Sequence, residues 1–112
     1  YEELPHLYAL ADLELSRAGA NTIADLAANG IPAILVPLRG VAHDHQMQNA
    51  RRAETSGGCR ILEQERLNRD MISDVTMLLE PREQARMSHA IRSLSHPDAT
   101  RQIAELIGRY LA

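Results

Sequence analysis

Four small or polar residues, Gly19-Ala20-Asn21-Thr22, follow the short run Leu13-Glu14-Leu15-Ser16 and precede a helical pattern carried by Ile23, Leu26 and Ala27. Small side chains at such a turn let backbone approach a ligand closely. The first N–H groups of the helix, around Asn21 to Ile23, lack intrahelical acceptors and point outward toward any anion placed there. A diphosphate suits that arrangement. Thr22 can cap the helix or give its hydroxyl to a phosphate oxygen, and the same four residues also make an ordinary strand-to-helix turn. The helix dipole contributes only about 0.3–1 kcal/mol at an exposed site, so directed hydrogen bonds must supply the specificity.

Asp25, three residues beyond Thr22, either completes a capping arrangement or offers its carboxylate to two vicinal hydroxyls of a ribose. Asp44, His45, Gln46 and Asn49 follow a second apolar run, and open α/β sheets place ligands at such strand ends. An amide such as Gln46 carries a donor and an acceptor for sugar hydroxyls; a polar helix start capped by Asp44 is the plainer alternative. Arg17 can pair with a phosphate or with a neighbouring carboxylate such as Asp12. His43 and His45 would share a face only in a strand, and no third ligand is spaced to join them, so neither a metal site nor a cofactor is expected. The chain has no Gly-x-Ser-x-Gly elbow, no Walker loop and no Gly-x-Gly-x-x-Gly, which excludes the common hydrolase, P-loop and dinucleotide signatures.

The elements that must position these groups alternate. A short helix is expected over 5–10, a strand over 13–16, and a helix over 22–28 that Asn29-Gly30 closes. Residues 31–36 form a continuous apolar run bracketed by Pro32 and Pro37, the pattern of a strand buried on both faces of a parallel sheet. A helix over 45–56 stops at Gly57-Gly58, and 59–62 reads as a third strand. Three helices follow, punctuated by Pro81 and Pro97. Their apolar faces are Met71, Ile72, Val75, Leu78 and Leu79; then Met87, Ile91 and Leu94; then Ile103, Leu106, Ile107 and Leu111. Ser95 or His96 is expected to cap the last helix, with Pro97 at its first position. The fold class is therefore α/β, a parallel sheet of about three strands with flanking helices and a C-terminal helical segment. The first strand stands at an edge.

Bulk properties narrow the function classes. With 112 residues, 45% of them hydrophobic, the chain is sized for one domain. Its longest apolar run falls far short of the roughly 20 residues that a membrane-spanning helix needs, and no signal-peptide layout is present, so a cytosolic protein is expected. The single cysteine, Cys59, is read as a buried thiol. Net charge is −3 and all 12 basic residues are arginine, without a basic stripe; aromatic content is 3%, confined to Tyr1, Tyr8 and Tyr110. Nucleic acid is not an expected partner.

Taken together, Ala11-Asp12-Leu13, the stretch from Ser16 to Thr22, Leu26-Ala27-Ala28, the run from Gly30 to Pro37, Asp44-His45-Gln46 and Asn49-Ala50 resemble the donor half of GT-B glycosyltransferases of the bacterial MurG type. Arg17, where related transferases usually carry histidine, and Pro97-Asp98-Ala99-Thr100 agree with that branch. The resemblance implies a partial Rossmann-like fold in which residues 1–112 are the C-terminal part of a nucleotide-sugar-binding domain, lacking the N-terminal acceptor domain and the first strands of the donor domain. It implies an inverting transfer of N-acetylglucosamine from UDP-N-acetylglucosamine, a substrate, to a lipid-linked acceptor in peptidoglycan synthesis (lipid I to lipid II), without a tightly bound metal. Gly19, Ala20, Asn21 and Thr22 would meet the diphosphate, Asp25 the ribose and Gln46 the sugar hydroxyls, with Asn49 also among the donor-binding residues; Tyr1 would lie by the uracil and Arg17 by a phosphate. Acceptor and membrane, at the cytoplasmic face of the inner membrane, would be reached only through the missing domain, which also holds the presumed base, so the isolated chain is not expected to catalyse. Two departures stand out: Asp25 replaces the family's usual glutamate, and Glu14 interrupts an apolar strand. A donor-binding subunit that works with a partner chain, and a degenerate α/β module kept for protein interaction, are the alternative readings.

Overall fold

The computed structural model describes residues 2–40 and 44–111, with only the backbone of Asp44. The element order is α1 (Leu4–Leu10), β1 (Glu14–Ser16), α2 (Ala20–Asn29), β2 (Ala33–Leu35), α3 (Asp44–Ser56), β3 (Cys59–Ile61), α4 (Leu67–Leu78), α5 (Pro81–Ile91) and α6 (Ala99–Leu111). Short 3-10 turns at Gln64–Arg66 and Arg92–Leu94 precede α4 and follow α5. The strands form one parallel sheet in the order β1-β2-β3, with Leu15 opposite Ile34 and Ile34 opposite Arg60. The two connections run through α2 and α3, as parallel neighbours require.

Alternation along β2 divides the core in two. Ala33 and Leu35 face a cluster with Ala18, Leu26 and Ala27 from the α2 side, Ala50 and Ala53 from α3, and Ile91 from α5. Ile34 and Val36 face the opposite cluster, with Leu62, Leu78 and Met87. Central β2 is buried along its whole length, which accounts for its unbroken apolar run. On the edge strand β1, Leu15 stays 46% exposed. Partial burial pushes the Glu14 carboxyl above its usual range, opposed by a hydrogen bond with Ser16 and reinforced by the nearby charge of Asp25. An edge position explains why a carboxylate is tolerated there.

Two glycines fix how helices meet the sheet. Gly30 ends α2 at φ 65°, in the left-handed region, and its N–H closes back on Ala27 O. Gly58 lies under α5, where a Cβ would come within 2.6 Å of Ile91 Cα. Helix α5 is capped by the Glu80 side chain, which accepts from Glu83 N at 3.0 Å, and it has Pro81 in its first turn. Cys59 is buried, and that burial pushes its thiol up to about 12.

Three expectations need correction. Helix α4 does not bury Ile72 or Leu79, which are 77% and 47% exposed; Asp74 is buried in their stead and pairs with Arg60 on β3 at 3.1 Å. Helix α6 starts at Ala99, because Pro97 and Asp98 form a turn in which Ala99 N donates to His96 O at 3.0 Å. Its apolar stripe is not packed on this chain: Ile103, Leu106, Ile107 and Leu111 are all more than half exposed. Helix α1 likewise buries none of its residues.

Candidate functional site

The carboxyl ends of β1 and β2 lead into the two loops that carry the polar residues. Past β1, Ala18 is fully buried and Gly19 takes the N-cap position of α2 with extended backbone, φ −70° and ψ 148°, and no side-chain cap. The first helical bond runs from Ile23 N to Gly19 O at 3.0 Å, so the N–H groups of Ala20, Asn21 and Thr22 precede the hydrogen-bonded ladder. A Cβ at Gly19 would meet only Thr22 Oγ1, at 3.8 Å. The glycine is therefore required neither by its dihedrals nor by packing against the described residues, and it gives the helix start no side-chain cap.

This geometry removes both capping alternatives. Thr22 is the third residue of α2, and Asp25 is the sixth, too far along to complete a capping pair. Asp25 is exposed one turn beyond Thr22, and its side chain has no hydrogen bond to a described residue. Its negative charge is nonetheless felt: the Tyr8 phenol is raised by burial first and then by the charges of Glu14 and Asp25.

Beyond β2, Val36 and Pro37 stay buried, and the Leu38 N–H donates to Gln46 Oε1 at 2.9 Å. Asn49, one turn later on α3, donates from Nδ2 to Ala18 O at 3.2 Å. The small, fully buried Ala50 and Ala53 let α3 lie close against the core beside α2. The fold thus places Gly19, Ala20, Asn21 and Thr22, and Gln46 and Asn49, past the carboxyl ends of β1 and β2. Tyr1 and His43 lie outside the described residues, as does the Asp44 side chain. His45 is exposed, and no cluster of three or more possible metal ligands occurs among the described residues.

Arg17 does not pair with Asp12. Its guanidinium crosses the strand ends instead, donating from one terminal nitrogen to Val36 O at 3.3 Å and to Gln64 Oε1 at 2.8 Å. Asp12 accepts through its backbone carbonyl from Gln84 Nε2 at 3.3 Å. Sequence reading missed Gln64, which no local pattern marks. It also missed Arg52 and His96, which with Ala20, Ile23, Asn49 and Leu94 line a groove of about 170 Å³ beside the start of α2. Arg52 was discoverable, since it lies three residues past Asn49 on the same helical face. A larger cavity, about 520 Å³, opens near β3 between α3 and α4. It shares no residue with the site, and its walls carry ion pairs of their own, Arg60 with Asp74 and Arg66 with Asp70.

A helix N-terminus without a side-chain cap among the described residues, with amides of the next helix at the same strand ends, can hold an anion and the polar group attached to it. Among known families, the model described as the glycosyltransferase family 28 C-terminal domain matches residues 1–103. The UDP-N-acetylglucosamine--N-acetylmuramyl-(pentapeptide) pyrophosphoryl-undecaprenol N-acetylglucosamine transferase of Hahella chejuensis is 36% identical over 106 residues, covering 93% of this chain and 29% of that protein. The proteins of the same name from Alkalilimnicola ehrlichii and Dechloromonas aromatica are 40% and 41% identical, each covering 94% of this chain and 30% of their own length. The crystal structure of Acinetobacter baumannii MurG superposes with a TM-score of 0.83 at 31% identity, covering 97% of this chain and 32% of that one. The chain spans about three tenths of the length of the curated relatives it matches.

Proposed function

The chain belongs to the glycosyltransferase family 28 C-terminal domain family, and on that premise we propose that it is the donor-binding part of an inverting hexosyltransferase that uses UDP-N-acetylglucosamine. The observation that carries the reading is the bare start of α2 at Gly19, with its first N–H groups open, set beside Gln46 and Asn49 of α3. The N–H groups of Ala20, Asn21 and Thr22 bind the diphosphate, with the Thr22 hydroxyl beside them. Asp25 takes the ribose hydroxyls; being one methylene shorter than glutamate, it can do so through a water. Gln46 and Asn49 face the sugar. Arg17 braces the strand ends and keeps positive charge near the phosphates.

In this mechanism an acceptor hydroxyl attacks the anomeric carbon from the face opposite UDP, and the C–O bond to the diphosphate breaks with its electron pair leaving on UDP. Negative charge on the diphosphate grows along that path, so donors fixed at the helix start stabilise the transition state more than the ground state. The base that takes the acceptor proton is not assigned to this chain. We assign residues 1–112 to the C-terminal part of a nucleotide-sugar-binding domain, working with an acceptor-binding domain at the cytoplasmic face of the inner membrane on a lipid-linked acceptor of peptidoglycan synthesis. Neither a metal nor a cofactor is required by this scheme. Relatives named for that transfer, matched over nearly all of this chain, support the reading.

Isothermal titration tests it directly. UDP and UDP-N-acetylglucosamine should each bind the folded protein and raise its unfolding temperature, and neither should need added divalent cation. Folded protein that gives no heat and no thermal shift at millimolar nucleotide would leave an α/β module without donor function.

A further inference from the structure

Two arginines, one from the loop after β1 and one from the loop after β2, converge on the turn that follows β3. Arg17, between β1 and Gly19, donates from Nη1 to Gln64 Oε1 at 2.8 Å and to Val36 O at 3.3 Å. Arg39 follows directly on Leu38, and its Nη2 donates to Glu63 Oε1 at 2.7 Å. The two acceptors are adjacent residues, reached from 47 and 24 residues earlier in the chain. The turn they occupy is itself fixed. Leu62 N–H donates to Leu35 O at 2.9 Å, which carries the pairing of β2 with β3 up to Glu63, and Arg66 N–H donates to Glu63 O at 2.9 Å to close the 3-10 turn. Arg66 pairs onward with Asp70 of α4. Neither Glu63 nor Gln64 lines the groove beside the start of α2. They stand behind the site, with their acceptors aimed at its loops.

We propose that Glu63 and Gln64 are positioning residues for the nucleotide site, holding the loops after β2 and β1 at a fixed spacing through Arg39 and Arg17. This role rests on the donor-site reading and deepens it. A loop or a guanidinium that is free to move must be ordered when the ligand arrives, and that ordering subtracts from affinity; one already held has lost the freedom on folding. The contacts lie among exposed residues, the Arg39 and Glu63 side chains being 57% and 47% accessible. Exposed pairs of this kind contribute little to global stability, so their effect belongs in binding.

Titration of UDP into the full chain, with thermal unfolding on the same preparations, separates position from charge. Gln64→Met keeps the length of the side chain and removes the acceptor, whereas Gln64→Glu keeps an acceptor and adds negative charge. Acting by position, Gln64→Met should weaken UDP binding about three- to tenfold and Gln64→Glu should stay within about twofold. Charge alone would invert that order, because Gln64→Met leaves Arg17 charged and Gln64→Glu neutralises it. Glu63→Arg and Arg39→Glu form the second arm. Each breaks the pair, so each should weaken UDP binding about two- to fivefold although the two change charge in opposite directions, and the double variant should recover to within about 1.5-fold. Every variant should unfold within about 3 °C of the unaltered chain. Unchanged affinity in Gln64→Met, equal losses in Gln64→Met and Gln64→Glu, opposite shifts in the two single charge variants, or a double variant that does not recover overturns the proposal. So does a loss of affinity accompanied by a larger fall in unfolding temperature, which makes the turn a folding element. Failure of the unaltered, folded protein to bind UDP at all is the distinct result that removes the donor site itself, and with it this inference.

Discussion

Gly19 shows what the residue scale adds to pattern reading. The turn Gly19-Ala20-Asn21-Thr22 was legible in the sequence as an anion-binding helix start, but its purely structural alternative was equally legible. The structure does make these residues a strand-to-helix turn, but it places Thr22 and Asp25 too far into α2 to cap it. With ordinary dihedrals and only an ordinary contact with Thr22 Oγ1 around its absent Cβ, Gly19 has no conformational or packing reason among the described residues to be glycine. Serine at an N-cap position accepts from a helical N–H and stabilises the helix by a few tenths of a kcal/mol relative to glycine. Gly19→Ser should therefore leave the unfolding temperature unchanged or raise it by about 1–3 °C. The same hydroxyl would occupy the N–H groups that a diphosphate needs, so UDP affinity should drop about tenfold or more. Thermal unfolding and titration on one preparation check both halves; a parallel loss of stability and affinity would make Gly19 a folding residue.

Among the elements, the three strands and the edge position of the first were recovered because local sequence carries them. The bracketed apolar run of β2 states its burial on both faces, and Glu14 states that β1 is an edge. Helical faces were less legible when a charged residue belonged inside. Asp74 is buried because Arg60 projects toward it from β3, a long-range pairing that periodicity along α4 cannot reveal, and Ile72 is correspondingly turned outward. Gly57-Gly58 was readable as a helix stop, but only the packing gives Gly58 its second duty. It allows the start of β3 to pass beneath α5, where an added Cβ would collide with the Ile91 backbone. Backbone cannot yield as a flexible side chain can, so Gly58→Ala should destabilise by about 1–3 kcal/mol in denaturant titration. Gly57→Ala is not an equivalent control, because Gly57 itself has φ 91°. Replacement at exposed Thr55, in the last turn of the preceding helix, should change stability by less than about 0.5 kcal/mol and serves better.

Across the whole molecule, the radius of gyration is 15.8 Å and the principal extents are 58 × 36 × 29 Å, whereas a compact chain of this length would have a radius of about 13 Å. The excess is consistent with α6, which buries none of its residues yet carries Ile103, Leu106, Ile107 and Leu111 on one stripe. Sequence periodicity predicted that stripe and could not say that the described residues leave it uncovered, because amphipathicity specifies a face and not what covers it. A helix of 13 residues is marginal in water without packing. Its four large apolar side chains therefore contribute almost nothing to the stability of the sheet and its flanking helices. Truncation after Ser95 should accordingly leave the denaturation midpoint of the remaining core within about 2 °C, since no buried contact is lost. It should also bring the solution radius of gyration toward about 13 Å, measured by X-ray scattering. A midpoint lowered by 5 °C or more would mean that α6 packs on this core in solution, and that its stripe closes against the chain's own surface.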